Sequence, residues 1–391
     1  MKENRRLLPI DAVRGTAMFF VGVSHISFYL LNSAPGLSYL LRAAGYVATP
    51  SFLLLSGLVC GYQLAATGDI RIGLRIVDRG LFVLLVGHLL VAGSLEYIVL
   101  PGTALEHIVI TDVIGLLLCT APLFGSASPH QLLRWGALLF VMSTAAGHLW
   151  QPTTLAGAAV AGPLLGINVR LLPDNGWISA TLPLAGLFLF GVGIGKLING
   201  FHQQGRTQVA WKALVTFGSV AAISAIAMNV LRHLLKPPLT AYFGSSTSVN
   251  GLLALLDIRE KVPATPAYGL FYGGIGLTLV GLVGLLPGSR VGRRFRMLES
   301  SALVAANVGR ASFVSYVSLQ WLIDFAPRSL GLTQELASPV AALSYLAAVA
   351  VAMFLIARGW DRHRGNRWLT VGLKSIAASA TKGAPKLERT A

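Results

Sequence analysis

Ten separate runs of about twenty apolar residues constrain this chain more than anything else in it. They cover residues 9–31, 38–64, 80–100, 107–124, 132–149, 179–198, 211–233, 267–286, 302–325 and 336–357. A helix of about 20 residues, rising about 1.5 Å per residue, crosses the ~30 Å hydrocarbon core of a bilayer. Lipid offers backbone polar groups no partner, so only helices and closed barrels span it. Runs of this length predict helices. The expected fold class is an all-α polytopic membrane protein with about ten transmembrane helices. Composition agrees: 12% of residues are charged, about half the usual share in soluble proteins.

Basic residues orient the chain. With the N-terminus in the cytoplasm, 22 of the 31 Lys and Arg fall on the cytoplasmic side and seven on the other; Arg14 and Arg310 lie within apolar runs. The positive-inside rule then puts both termini in the cytoplasm. The expected organisation is a transmembrane domain over 1–360 and a basic cytoplasmic tail over 361–391. The net charge of +16 is dispersed between the apolar runs, with no interleaving of aromatic and basic residues. The lipid bilayer, not nucleic acid, is the partner it suits. Cys60 and Cys119 lie in apolar runs with no metal-ligand spacing, so free buried thiols and no metal site are expected. Gly191, Gly193 and Gly195 fall inside a span, where close helix packing accounts for them better than a dinucleotide fingerprint. Lys2, Arg5 and Arg6 precede the first run as in a signal peptide. That run is too long and too polar for one, and an uncleaved first helix is expected. Residues 150–178 and 234–266 read as long outer loops.

The first run is also the least ordinary. It carries Asp11, Arg14 and His25, and ionisable groups at membrane depth face a bundle interior or a watery cavity. At about 100° per residue, Arg14 and His25 lie within about 20° of each other, with Asp11 and Tyr29 about 60° away. The result is one polar stripe, with Arg14 and His25 separated by about 16 Å along the axis. Arg14 sits near the inner interface, within snorkelling reach of it. His25 lies too deep for that, and a histidine of ordinary basicity can take a proton from a hydroxyl or an amine. Asp112 and Arg310 are further intramembrane charges, read as partners for each other or as groups that orient the site. Ser56, Asn307, Ser312 and Gln320 are polar groups at similar depth, read mainly as helix–helix contacts.

Five segments, in order, resemble a known family. They are IDAVRGTA at 10–17 with His25 beyond it, TPSFLLLSG at 49–57, the basic Arg71, Arg75 and Arg79, LPLAGLFLFG at 182–191, and NVGRASFVSY at 307–316. Together they resemble the membrane-bound acyltransferases, comprising the bacterial acyltransferase family 3 proteins and relatives of heparan-α-glucosaminide N-acetyltransferase. Two departures stand out: Leu184 replaces a tryptophan, and Gln320 stands near where many relatives carry a histidine. The resemblance implies an acyl-CoA-dependent O- or N-acyltransferase of the bacterial inner membrane. It would move an acyl group, most simply acetyl from acetyl-CoA, to a cell-envelope glycan or glycolipid. It further implies roles: His25, Arg14 and Asp11 in catalysis; Arg14, Arg71, Arg75, Arg79 and Ser56 toward the coenzyme; Asp112, Asn307, Arg310 and Gln320 toward the acceptor. The rival reading is a transporter or flippase for a glycan or small polar solute, which also places charges along a pathway.

Overall fold

The computed structural model describes residues 7–67, 70–96, 108–150, 152–166, 180–243, 247–261, 264–286 and 296–362. The expected sites of Asn168, Arg170, Asp174, Asn175, Trp177, Arg290, Arg293 and Arg294, and the tail beyond 362, lie outside the described residues. Among those described the fold is helical throughout, with an isolated bridge between Lys261 and Ala264 and no sheet. The helices are α1 (Leu8–Ile26), α2 (Pro35–Gly45), α3 (Ala48–Thr67), α4 (Ile70–Phe82), α5 (His88–Glu96), α6 (Ile110–Thr120), α7 (Pro129–Leu149) and α8 (Leu155–Leu165). Then follow α9 (Thr181–Gln203), α10 (Thr207–Phe243), α11 (Thr247–Ala254), α12 (Pro266–Leu285), α13 (Arg296–Arg310), α14 (Ser312–Gln320) and α15 (Pro339–Arg362).

The chain is a multi-pass membrane protein by the length and hydropathy of its helices. Among the described residues seven helices suffice to cross a membrane, and an eighth span results if the bent pair α13–α14 counts as one. Two of the ten expected runs fall short, each for a physical reason. In α1 the site's own Asp11, Arg14 and His25 lower the mean hydropathy. The 107–124 run is a helix over only Ile110–Phe124, about 22 Å of rise. The two expected outer loops are also partly helical. Residues 155–165 form α8, and α10 runs through Pro237 and Pro238 to Phe243. A proline pair normally breaks a helix; here both prolines are exposed, close to the C-terminal end of α10.

The bundle is organised around α1, which touches α2, α3, α12, α13, α14 and α15. A second seam joins α3 to α9, and its closeness follows from glycines four apart on both helices. A Cβ on Gly57 or Gly61 would sit 2.0 Å from a carbonyl oxygen of α9, and one on Gly191 or Gly195 2.2 or 2.0 Å from one of α3. Small residues at this spacing let membrane helices approach backbone to backbone. Large apolar side chains such as Val220, Ile223, Val230 and Leu234 line the outside of α10, a face suited to lipid.

Candidate active site

The sharpest feature of the bundle is an 80° bend at Ala311, between α13 and α14. It brings α13 against α1 at a contact that only glycine permits. A Cβ on Gly309 would lie 1.8 Å from the Asp11 carbonyl oxygen, and one on Gly15 1.9 Å from that of Ala305. The close approach sets Arg310 beside α1, its Nε 3.9 Å from Asp11 Oδ2, while Arg14 Nη1 lies 3.9 Å from Asp11 Oδ1. Just past the bend, the Ser312 hydroxyl accepts from Arg14 Nη2. One carboxylate thus stands between two guanidiniums. The break would strand backbone carbonyls in an apolar setting, and the Ser315 hydroxyl donates to Val308 O at 3.3 Å to satisfy one of them.

A second irregularity follows at once. Residues Trp321–Phe325 form a π-helical turn, a wide turn often found at functional sites. Its Leu322 and Ile323 carbonyls accept hydroxyls from Tyr345 at 2.6 Å and Tyr29 at 2.7 Å, and Trp321 Nε1 donates to Leu90 O at 3.0 Å. The turn swings Asp324, 8% exposed, onto His25. His25 Nδ1 lies 2.9 and 3.2 Å from the two carboxylate oxygens. A carboxylate accepts only, so Nδ1 carries the proton, and in the neutral ring Nε2 keeps its lone pair. Asp324 was not singled out in the sequence. Its only signal there is an acid four residues beyond Gln320 in an apolar run.

Asp11, Arg14, Arg310 and Ser312 of the first cluster and His25 of the second line a single cavity of about 750 Å³, with Asp324 behind His25. Its wall follows α3 from Ala48 to Ala66, about 27 Å of helix rise, close to the full hydrocarbon thickness. Arg14, Arg79 and Arg310 line one end, with Ser56 partway along; Arg42 and Lys261 line the other, beyond His25. Five cations face the space and Asp11 is the one carboxylate among the described residues that does. Thr111 Oγ1 and Gln320 Oε1, buried in the wall, have no hydrogen-bond partner among the described residues. Buried polar atoms are rarely left so, and a polar occupant would satisfy them.

Several expected positions lie elsewhere. Arg71 and Arg75 are exposed and do not line the cavity. On α4 each step of four residues turns about 40° further round the helix, so Arg79 faces inward while Arg71 and Arg75 do not. Asn307 is also outside the lining. Asp112 does not pair with Arg310: it accepts from His88 Nδ1 at 3.0 Å and from the Val109 backbone N–H at 2.9 Å, capping α6. Arg14, His25, Asp11, Ser56, Arg79, Arg310 and Gln320 all line the cavity.

Comparison with protein families matches residues 6–163 to the model described as heparan-alpha-glucosaminide N-acetyltransferase, catalytic. Comparison with curated proteins gives no match. The matched stretch is about two fifths of the chain and supplies Asp11, Arg14, His25, Ser56 and Arg79; Arg310, Ser312, Gln320 and Asp324 come from beyond it. Over residues 6–163, then, this multi-pass membrane protein is similar to the catalytic domain of the heparan-alpha-glucosaminide N-acetyltransferase family, and the likeness implies a membrane acetyltransferase.

Proposed function

We propose that the chain is an acyl-CoA-dependent acyltransferase that carries an acetyl group across the membrane inside one cavity. The observation that supports it best is the combination of a cavity nearly as long as a bilayer is thick with cations at one end and a carboxylate-bound histidine farther in. In this reading both termini are cytoplasmic, ten segments span the bacterial inner membrane once α1 and α6 are counted, and Arg14, Arg79 and Arg310 face the cytosol. Guanidiniums suit phosphate oxygens through paired N–H donors, and three against one carboxylate leave positive charge for the phosphates of coenzyme A. The pantetheine arm then points along α3, past Ser56, toward His25.

Asp324 holds His25 with Nδ1 protonated, so Nε2 is the base. An acceptor hydroxyl or amine on a cell-envelope glycan or glycolipid attacks the thioester carbonyl as Nε2 takes its proton. The tetrahedral intermediate collapses, the carbon–sulfur bond breaks, and the imidazolium returns the proton to the coenzyme thiolate. Asp11 restrains Arg14 and Arg310 between turnovers. A cavity that reaches toward both faces also suits a transporter of polar solutes, and the two readings part on donor binding. Acetyl-CoA should raise the melting temperature of detergent-purified protein by mass action. Arg79→Gln should lose that rise with its unliganded melting unchanged. Absence of any rise with acetyl- or longer acyl-CoA would sink the acyltransferase reading in favour of transport.

A further inference from the structure

Resting on that acyltransferase reading, the geometry points to a second anion site at the end of the cavity remote from Arg79, so that the acceptor itself carries a negative group, phosphate or carboxylate, on or next to the sugar that is acylated. The site is Arg42 and Lys261. Both line the cavity, and neither is paired with a carboxylate among the described residues. Each is held against an aromatic face instead: the Arg42 guanidinium carbon lies 5.5 Å from the Phe28 ring centre, and Lys261 Nζ lies 5.9 Å from that of Tyr46. The nearby acids are engaged elsewhere. Asp257 takes Arg232 at 2.8 Å and the Arg259 N–H at 2.9 Å, and Glu260 faces that same Asp257–Arg232 pair.

Two like charges brought together without a counter-ion raise each other's energy. Burial and the nearby Arg42 together push the Lys261 ammonium down to about 8. An anion shared between them relieves both effects, which a neutral acceptor would not do. Phe28, in the 3-10 turn Ser27–Leu30 that follows α1, has its ring centre 6.4 Å from that of His25, so an anion at Arg42 sits beside the group that His25 deprotonates. The aromatic rings of Tyr46 and Tyr268 on the same stretch of wall offer apolar faces to a sugar ring.

The test uses full-length protein in detergent with saturating coenzyme A, which occupies the Arg79 end. Melting is followed with glucose, glucose 6-phosphate and glucuronic acid, in wild type and in Arg42→Gln/Lys261→Gln. The expected result is stabilisation by the anionic sugars over glucose, with the double variant binding them about tenfold more weakly or worse. Lys261→Arg should restore the preference if the unliganded melting of the double variant is impaired. Repeating the assay in nanodiscs of phosphatidylglycerol and of phosphatidylcholine separates sources: competition by the former alone assigns the anion to a lipid headgroup. An equal response to neutral and anionic sugars, or a preference that survives the double substitution, overturns the site. Loss of coenzyme A binding with the anionic-sugar preference intact would overturn the acyltransferase reading and leave the anion site standing.

Discussion

In the proposed reaction Asp324 would act only through His25, the ring it bonds. In Asp324→Asn the amide can still bond the ring, but it favours the tautomer with the proton on Nε2, where no base remains. Transfer should fall by about 10²–10⁴-fold, and the acid limb of the pH–rate profile should move. Stabilisation by acetyl-CoA should persist, because the donor's cations are elsewhere. A fall in activity matched by lost donor binding would mean that Asp324 merely holds the bundle together. His25→Ala should abolish transfer with the fold and donor binding kept. At the remote mouth Lys261 gives a pH signature of its own. Its folded value of about 8 lies below the ordinary lysine value of about 10.4. Between the two the unfolded chain holds a proton that the folded one lacks, so stability rises as pH rises through that window. The melting temperature of the wild type should climb relative to Lys261→Met between about pH 8 and 10, and a constant difference would refute the account. The residues of α1 were legible because ionisable groups are conspicuous in an apolar helix. Asp324 was not, because nothing local says which acid in the chain will meet which histidine.

The elements carry their own consequences. The α3–α9 seam and the α1–α13 contact depend on glycine at positions where a Cβ would stand about 2 Å from a carbonyl oxygen. Backbone cannot yield there as a side chain can. Gly61→Ala or Gly195→Ala should lower stability by about 1–3 kcal/mol, measured by thermal melting, with donor binding per folded molecule unchanged. Gly309→Ala should do more than destabilise, since it separates Arg310 from Asp11. Loss of acetyl-CoA stabilisation in the fraction that still folds would be the readout, and an intact donor site would argue against the geometry. The GxGxG run was correctly read as packing from its place inside a span. The bend at Ala311 and the π-helical turn after it were not legible, since NVGRASFVSY contains no proline and reads as continuous helix. They persist because Ser315, Tyr29 and Tyr345 satisfy backbone carbonyls of the irregular stretch, and two of those three donors, Tyr29 and Tyr345, come from other elements.

For the whole molecule, hydropathy and length settle a helical membrane bundle, since a chain of this composition has no other way to hide its backbone from lipid. The same rule undercounts where polar groups intervene: α1, the helix around which the bundle is arranged, carries the polar stripe that keeps it from passing as a span. The sequence by itself determined the fold class, the polar face of α1 and the likeness to an acetyltransferase catalytic domain, because these rest on composition, period and local motif. Only the tertiary structure decided that Arg79 enters the cavity while Arg71 and Arg75 do not, that Asp112 serves His88, and that Asp11 meets Arg310 and His25 meets Asp324. The last two pairings span about 300 residues of chain. They follow from how closely helices approach and where they break, which no single segment encodes.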